Sequence, residues 1–114
     1  TTDCMYVTHD NAASLFTQDS IVCEAFDNPA CKAALVDAVL SACPDTILVA
    51  ASGMAGLDSC NTIQTRRISS RFYLCGDEHT CAQPGRGLMA PRVSVCAGHQ
   101  ANMILRLIVG EDTP

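Results

Sequence analysis

The chain has 114 residues, of which 48% are hydrophobic and 17% charged, and its formal charge is −5. That balance excludes intrinsic disorder, and the acidic surplus argues against nucleic acid as the main partner. No apolar run reaches membrane-spanning length and no signal-peptide pattern opens the sequence, although the start at Thr1 rather than Met fits removal of something upstream. One domain, residues 1–114, is expected, and with no Trp its core must be built from aliphatic side chains, alanine and cysteine.

Thr1 to Thr8 alternates enough to suggest a short strand, and Asp10 offers a cap for a helix containing Ala12, Ala13, Leu15 and Phe16. Gln18 to Ser20 forms a turn. The segment Ile21 to Gly56 then reads as strand, acidic turn, helix, strand and glycine-punctuated loop. An apolar run starts at Ile21, is broken by Glu24 and resumes at Ala25 and Phe26. Asn28 caps the helix, Pro29 suits its first turn and Pro44 ends it. Thr46 to Ala51 is apolar almost throughout, as expected of a parallel strand covered on both faces. The result is a right-handed βαβ unit.

Asp27 sits where the first strand gives way to the helix, the end of an open α/β sheet where ligands collect. It admits two readings: a carboxylate for a hard cation such as magnesium, or a second helix cap favoured by the helix dipole. Ser52 to Gly56 likewise admits close approach of a ligand to the backbone, or a simple turn. Asn61 to Ile68 and Arg71 to Cys75 read as an antiparallel hairpin turning at Ser69 and Ser70. Arg66, Arg67, Arg71, Arg86 and Arg92 concentrate positive charge in this half, to receive a carboxylate or phosphate or to solvate a strand face.

Gly76 to Gly87 has no periodicity, and a loop of that kind is often functional or mobile. It contains Cys81, the best candidate among the cysteines for a reactive thiol, with His79 close by; spacing alone favours an incidental cysteine in a disordered loop. A last helix starts at Pro91 and stops before Gly110. Val93, Cys96, Ala97, Ala101, Ile104 and Ile108 form its apolar face and Arg92, His99, Asn102 and Arg106 lie elsewhere. The acidic tail Glu111 to Pro114 is expected to fray. Cys23, Cys31, Cys43 and Cys96 fall in regular elements where free cysteine behaves as a small hydrophobe, and there is no Cys-x-x-Cys pair. A reduced, cytoplasmic protein follows.

Three blocks, EAFDNPACKAALV, VAASGMAG and PGRGLMAPRVSVCAGHQANMILRLIVG, resemble the C-terminal half of the ThiF-type adenylyltransferases, relatives of MoeB, HesA and the ubiquitin-activating enzymes. The resemblance implies the C-terminal part of a Rossmann-like ThiF/MoeB α/β fold, a mixed sheet with a parallel βαβ unit, an antiparallel hairpin and a C-terminal helix. It implies ATP- and magnesium-dependent adenylation of the Gly-Gly carboxylate of a ubiquitin-fold sulfur carrier (ThiS-like) in thiamine biosynthesis. By the same resemblance Asp27 holds magnesium, Asn28 and Lys32 belong to the nucleotide site, and Ser52, Gly53 and Arg86 line the channel for the carrier tail. Cys81 lies near the loop that carries a sulfur-handling thiol in some relatives.

Two departures bear on that reading. The paired Cys-x-x-Cys motifs of many relatives are absent, so no zinc is expected. The glycine-rich nucleotide half is absent too, so the chain alone is expected to be an inactive fragment, with an uncovered sheet edge that favours a homodimer. A non-catalytic carrier-binding or dimerisation module, or a MoeB-like or tRNA-modifying relative, stands as the alternative.

Overall fold

A computed structural model describes residues 1–114. The elements are α1 (His9–Phe16), β1 (Ile21–Cys23), α2 (Pro29–Ala42), β2 (Ile47–Ala51), a 3₁₀ turn (Cys60–Thr62), β3 (Gln64–Ser69), β4 (Phe72–Gly76) and α3 (Ala90–Ile108). The strands make a mixed four-stranded sheet in the order β1-β2-β4-β3. The chain divides into two compact units, Thr1–Leu48 and Val49–Pro114, the division falling within β2. No helix is long and apolar enough to cross a membrane.

In the first unit α1 starts earlier than an Asp10 cap would place it. Thr8 is the cap: its hydroxyl accepts the Asn11 N–H at 3.3 Å while Asn11 answers the Thr8 N–H at 2.7 Å. The strand expected over Thr1 to Thr8 is absent, and the segment pairs with none of the four strands. α2 buries Leu35, Ala38 and Val39, spaced as one face of a helix requires, and Cys43 at its end donates to Ala13 O at 3.7 Å. Thr46 is buried with its hydroxyl on Asp19 O at 2.8 Å, tying the turn after α1 to the start of β2. β1 stops at Cys23 rather than continuing to Phe26. The reason is Glu24, which turns inward and takes the Phe26 N–H at 2.5 Å, diverting that donor from any ladder.

In the second unit β3 and β4 pair antiparallel, Gln64 opposite Gly76 and Arg67 opposite Tyr73, with an irregularity between Arg67 and Ser69. Asn61 and Thr62, expected in the strand, belong instead to the 3₁₀ turn Cys60–Thr62. The buried face of α3 is Arg92, Cys96, Gln100 and Met103. It is rotated from the expected apolar face: Ala97, Ala101 and Ile108 are exposed. Two polar residues set the rotation because each has a buried partner, Arg92 on Asp77 at 2.5 Å and Gln100 on Val49 O at 3.5 Å. The acidic tail is fastened rather than frayed. Asp112 accepts from Arg67 at 2.8 Å, its carbonyl from the Tyr73 hydroxyl at 2.8 Å, and Thr113 O from Arg106 at 2.9 Å.

All eight cysteines are free thiols. Cys43 and Cys96 are buried as expected of small hydrophobes, but Cys31 is half-buried and Cys23, the last residue of β1, is exposed as a residue although its thiol is partly shielded.

Where β2 ends, two glycines let backbones cross. Gly76 has φ +138° and a Cβ there would lie 1.7 Å from Ser52 O; Gly53 has φ +81° and its Cβ would meet Asp77 Oδ1 at 2.2 Å. Gly98, in the middle of α3, faces open space. Gly76→Ala is therefore expected to cost more than about 3 kcal/mol, through strain and collision together. Gly98→Ala should stabilise by about 0.5–1 kcal/mol by removing backbone freedom from a helix interior. Urea unfolding of the two variants, which must move in opposite directions, checks both.

Candidate functional site

The first unit carries the strand-end turn. Asn28 caps α2, its Oδ1 accepting the N–H groups of Ala30 at 2.8 Å and Cys31 at 3.2 Å. That leaves no capping task for Asp27, which is exposed and whose carboxylate is engaged by neither hydrogen bond nor ion pair. It stands beside an open groove of about 340 Å³, whose walls include Met5, Tyr6, Phe26 and Cys31. The Tyr6 hydroxyl lies 3.6 Å from the Cys31 thiol, and this contact raises the Tyr6 pKa.

Lys32 does not project freely toward a ligand. Its ammonium sits 2.9 Å from each oxygen of Glu24, whose side chain is 0% exposed. A carboxylate buried to that degree requires a partner, and Lys32 supplies it. The pair fixes the stretch from Glu24 to Lys32 that holds Asp27 and Asn28. Next to it, burial pushes the Cys23 thiol up, the negative charge of Glu24 adds to the shift, and Lys32 opposes it.

A metal would meet one carboxylate at this turn, since no group of three or more His, Cys, Asp and Glu side chains converges anywhere. One carboxylate matches the protein's usual share in a magnesium site, where substrate phosphates and water complete the shell. Asp27 thus fits a metal that arrives with a nucleotide.

The second unit is organised by Asp77, at the end of β4. Its Oδ1 accepts the N–H groups of His79 at 2.9 Å and Thr80 at 2.8 Å, and its Oδ2 accepts the Thr80 hydroxyl at 2.8 Å and Arg92 Nη2 at 2.5 Å. Both side chains of the ion pair are buried, 6% and 3% exposed. Arg92 Nη1 reaches the carbonyls of Asp58 and Ser59, each at 2.6 Å, and only Nε lacks a partner. The Thr80 hydroxyl in turn accepts the Ala55 N–H at 3.1 Å. Ala55 pairs with Leu88, and the Gly56 N–H donates to Gly87 O at 2.9 Å. One buried carboxylate therefore ties together the segments 53–59, 77–80 and 86–88.

The remaining residues singled out in the sequence lie around this network. At Ser52 and Gly53 the backbone that approaches closely is the chain's own: Ser52 O accepts from Glu78 N at 3.2 Å and Gly53 O from Asp77 N at 2.8 Å. Arg86 is ion-paired to Asp58 and packs over Gly56. Of the basic group, Arg66 pairs with Glu78 and Arg67 with Asp112, while Arg92 is in the core rather than on the outer side of α3. Cys81 is exposed in the loop and makes no hydrogen bond with His79. His99, off the expected apolar face of α3, is half-buried and satisfied, with Nδ1 2.9 Å from the Thr65 hydroxyl.

Comparison with protein-family models, with curated proteins and with solved structures found no match to this chain. The arrangement of side chains is consequently the ground on which a function is argued.

Burial alone would push the Asp77 carboxyl up, but the Thr80 and His79 N–H groups, the Thr80 hydroxyl and the Arg92 guanidinium outweigh it and hold the carboxyl below its ordinary value of 3.8. A pKa lowered by folding contributes stability that is fully present above the unfolded value and lost as pH falls through the folded one. The unfolding free energy should therefore decline below about pH 4, and Asp77→Asn should flatten the Asp77 share of that decline while costing about 3–5 kcal/mol at neutral pH by leaving Arg92 unpaired. Urea titrations between pH 7 and 2 read both effects. In the first unit, Lys32→Met removes the cationic partner of the buried Glu24 carboxylate and should cost about 3–5 kcal/mol, part of it recovered in a Glu24→Gln, Lys32→Met double variant.

Proposed function

We propose that the chain is the carboxyl-terminal part of an ATP- and magnesium-dependent adenylyltransferase that activates the Gly-Gly carboxylate of a ubiquitin-fold, ThiS-like sulfur carrier. The observation that carries this reading is the division of labour at the turn after β1. Asn28 caps the start of α2, and the Asp27 carboxylate stands exposed and unengaged in the connection between β1 and α2, beside a groove. In an open α/β sheet that is where a phosphate-bearing ligand sits. The sequence blocks that resemble ThiF-type enzymes place their metal-holding aspartate at this residue.

In the reaction the carrier carboxylate attacks the α-phosphorus of ATP. A carbon-linked oxygen–phosphorus bond forms, the bond to the departing pyrophosphate breaks, and an acyl-adenylate remains. Bound magnesium supplies neutralisation of the charge that collects on the phosphate oxygens. The chain's own residues prepare the ground for it. Asp27 offers a hard oxygen ligand, Asn28 holds the helix start that fixes its position, and the Glu24–Lys32 pair anchors the turn from behind. The resemblance would run the carrier tail near Ser52, Gly53 and Arg86, although the Ser52 and Gly53 carbonyls are taken by the Glu78 and Asp77 N–H groups and Arg86 by Asp58. Donors that cradle the phosphates belong to a glycine-rich upstream half, so catalysis requires both halves. A homodimer in the cytoplasm, with no zinc, completes the reading.

ATP–pyrophosphate exchange with a Gly-Gly-tailed carrier tests it. Exchange is expected from the protein that joins this chain to its nucleotide-binding half and not from residues 1–114 alone. Asp27→Ala should lower the rate by about 100-fold or more, in line with the loss of an electrostatic stabiliser, without changing the thermal midpoint. No exchange in the folded joined protein with any such carrier overturns the reading.

A further inference from the structure

The first unit holds a charge that its own residues do not balance. Seven of the twelve carboxylates but only one of the seven Lys and Arg side chains lie in Thr1–Leu48, a side-chain charge of −6, while the second unit carries +1. That one cation, Lys32, is taken by the buried Glu24. Two grooves open on this unit. One, of about 350 Å³, is walled chiefly by Val7, Phe16, Ile21, Phe26 and Leu35. The other is the groove of about 340 Å³ beside Asp27, and the two share Val7 and Phe26 as a common wall. Met5 and Tyr6, on the second groove, leave 52% and 77% of their surface to solvent. They are nevertheless held in place, because Tyr6 O accepts from Asn11 Nδ2 at 3.0 Å and the Tyr6 hydroxyl lies against the Cys31 thiol. Large apolar side chains fixed at the surface beside a groove mark a binding face.

We propose that this face docks a short basic segment of a partner protein, which seats a large apolar side chain in the first groove and an arginine in the second, its guanidinium on Asp27. The chemistry of each groove selects its anchor. The first is lined mainly by aliphatic and phenyl groups and rewards burial of an apolar side chain. In the second, Asp27 is exposed and its carboxylate is engaged by no other group. A carboxylate in that state receives the planar fork of a guanidinium through two parallel hydrogen bonds, and Tyr6 and Phe26 supply rings on which a guanidinium can stack. The charge of the unit acts at longer range, drawing a basic chain toward the face and turning an acidic one away. The inference does not depend on the adenylyltransferase reading. Where both hold, Asp27 serves one cation at a time, so the docked segment and magnesium exclude each other.

Short peptides titrated into the isotope-labelled chain, without nucleotide or magnesium, test it by NMR. The set is acetylated and amidated and places one Phe and one Arg side by side or up to three Gly apart, in either order. At least one member is expected to bind with a Kd of about 1 mM or tighter, shifting the backbone amides of Tyr6, Phe26 and Asp27. Replacing its Arg by Glu, replacing its Phe by Ala, or introducing Asp27→Asn into the chain should each weaken binding by about 10-fold or more. Raising the salt from about 0.05 M to about 0.5 M should weaken it as well, by screening the field of the unit. Asp27 is exposed and outside the regular elements, so its variant keeps the fold. Absence of binding by every member overturns the proposal, and so does an affinity that Asp27→Asn or the Glu peptide leaves unchanged. Binding of acetylated arginine amide as tight as that of the best peptide also overturns it, since the first groove then contributes nothing.

Discussion

A buried carboxylate that must be satisfied is the constraint on which the second unit depends. Asp77 lies at the end of β4 with its oxygens facing inward, and a charge in that position is tolerable only when donors converge on it. Two backbone N–H groups, a hydroxyl and a guanidinium do so. Each donor brings a segment with it. The N–H groups shape the turn 77–80, the hydroxyl recruits Ala55, and the guanidinium fixes both the start of α3 and the carbonyls of residues 58 and 59. The rotation of α3 away from its most apolar face follows from the same requirement, since a helix with Arg92 buried cannot also bury Ala97 and Ala101.

The first unit solves a smaller version of the same problem. Glu24 interrupts β1, turns inward and is met by Lys32 from the first turn of α2. The two units thus share a device, a buried acid at a strand end paired with a base from a helix start. In each case the acid holds a turn in place: the stretch from Glu24 to Lys32 in one, the segments around 55–59 and 77–80 in the other.

Much of this architecture was legible in the residues. The apolar run Ile47 to Ala51, the Asn28-Pro29 helix start, the hairpin and the stop at Gly110 all depend on local propensity or on short-range pattern, and all are found. The errors have a common physical origin. Arg92 and Glu24 were assigned by polarity, yet polarity does not say whether a partner awaits in the interior; that is decided by residues 15 and 8 positions away in the chain. The tail Glu111 to Thr113 was expected to fray for the same reason, its partners Arg67 and Tyr73 being remote. One signal for the site was present and went unread: Asp77 and Thr80, just past a strand end, have the spacing at which a carboxylate takes up backbone donors and a hydroxyl in a tight turn.

The side chains taper from Leu48 through Val49 to Ala50 and Ala51, and after Ser52 comes Gly53 with none. At the narrow end the neighbouring backbone of Gly76 closes to within contact of Ser52 O, so that no atom beyond hydrogen fits on its Cα. Alignment of the two backbones is thereby proofread by collision. Sliding β4 by a single residue would bring Cys75 or Asp77, each with a Cβ, into a gap that admits none. Hydrophobic alternation, the usual guardian of strand alignment, is weak in a strand buried along nearly its whole length. Here the taper replaces it, and a misaligned chain is rejected by shape before the charges of Asp77 and Arg92 can meet.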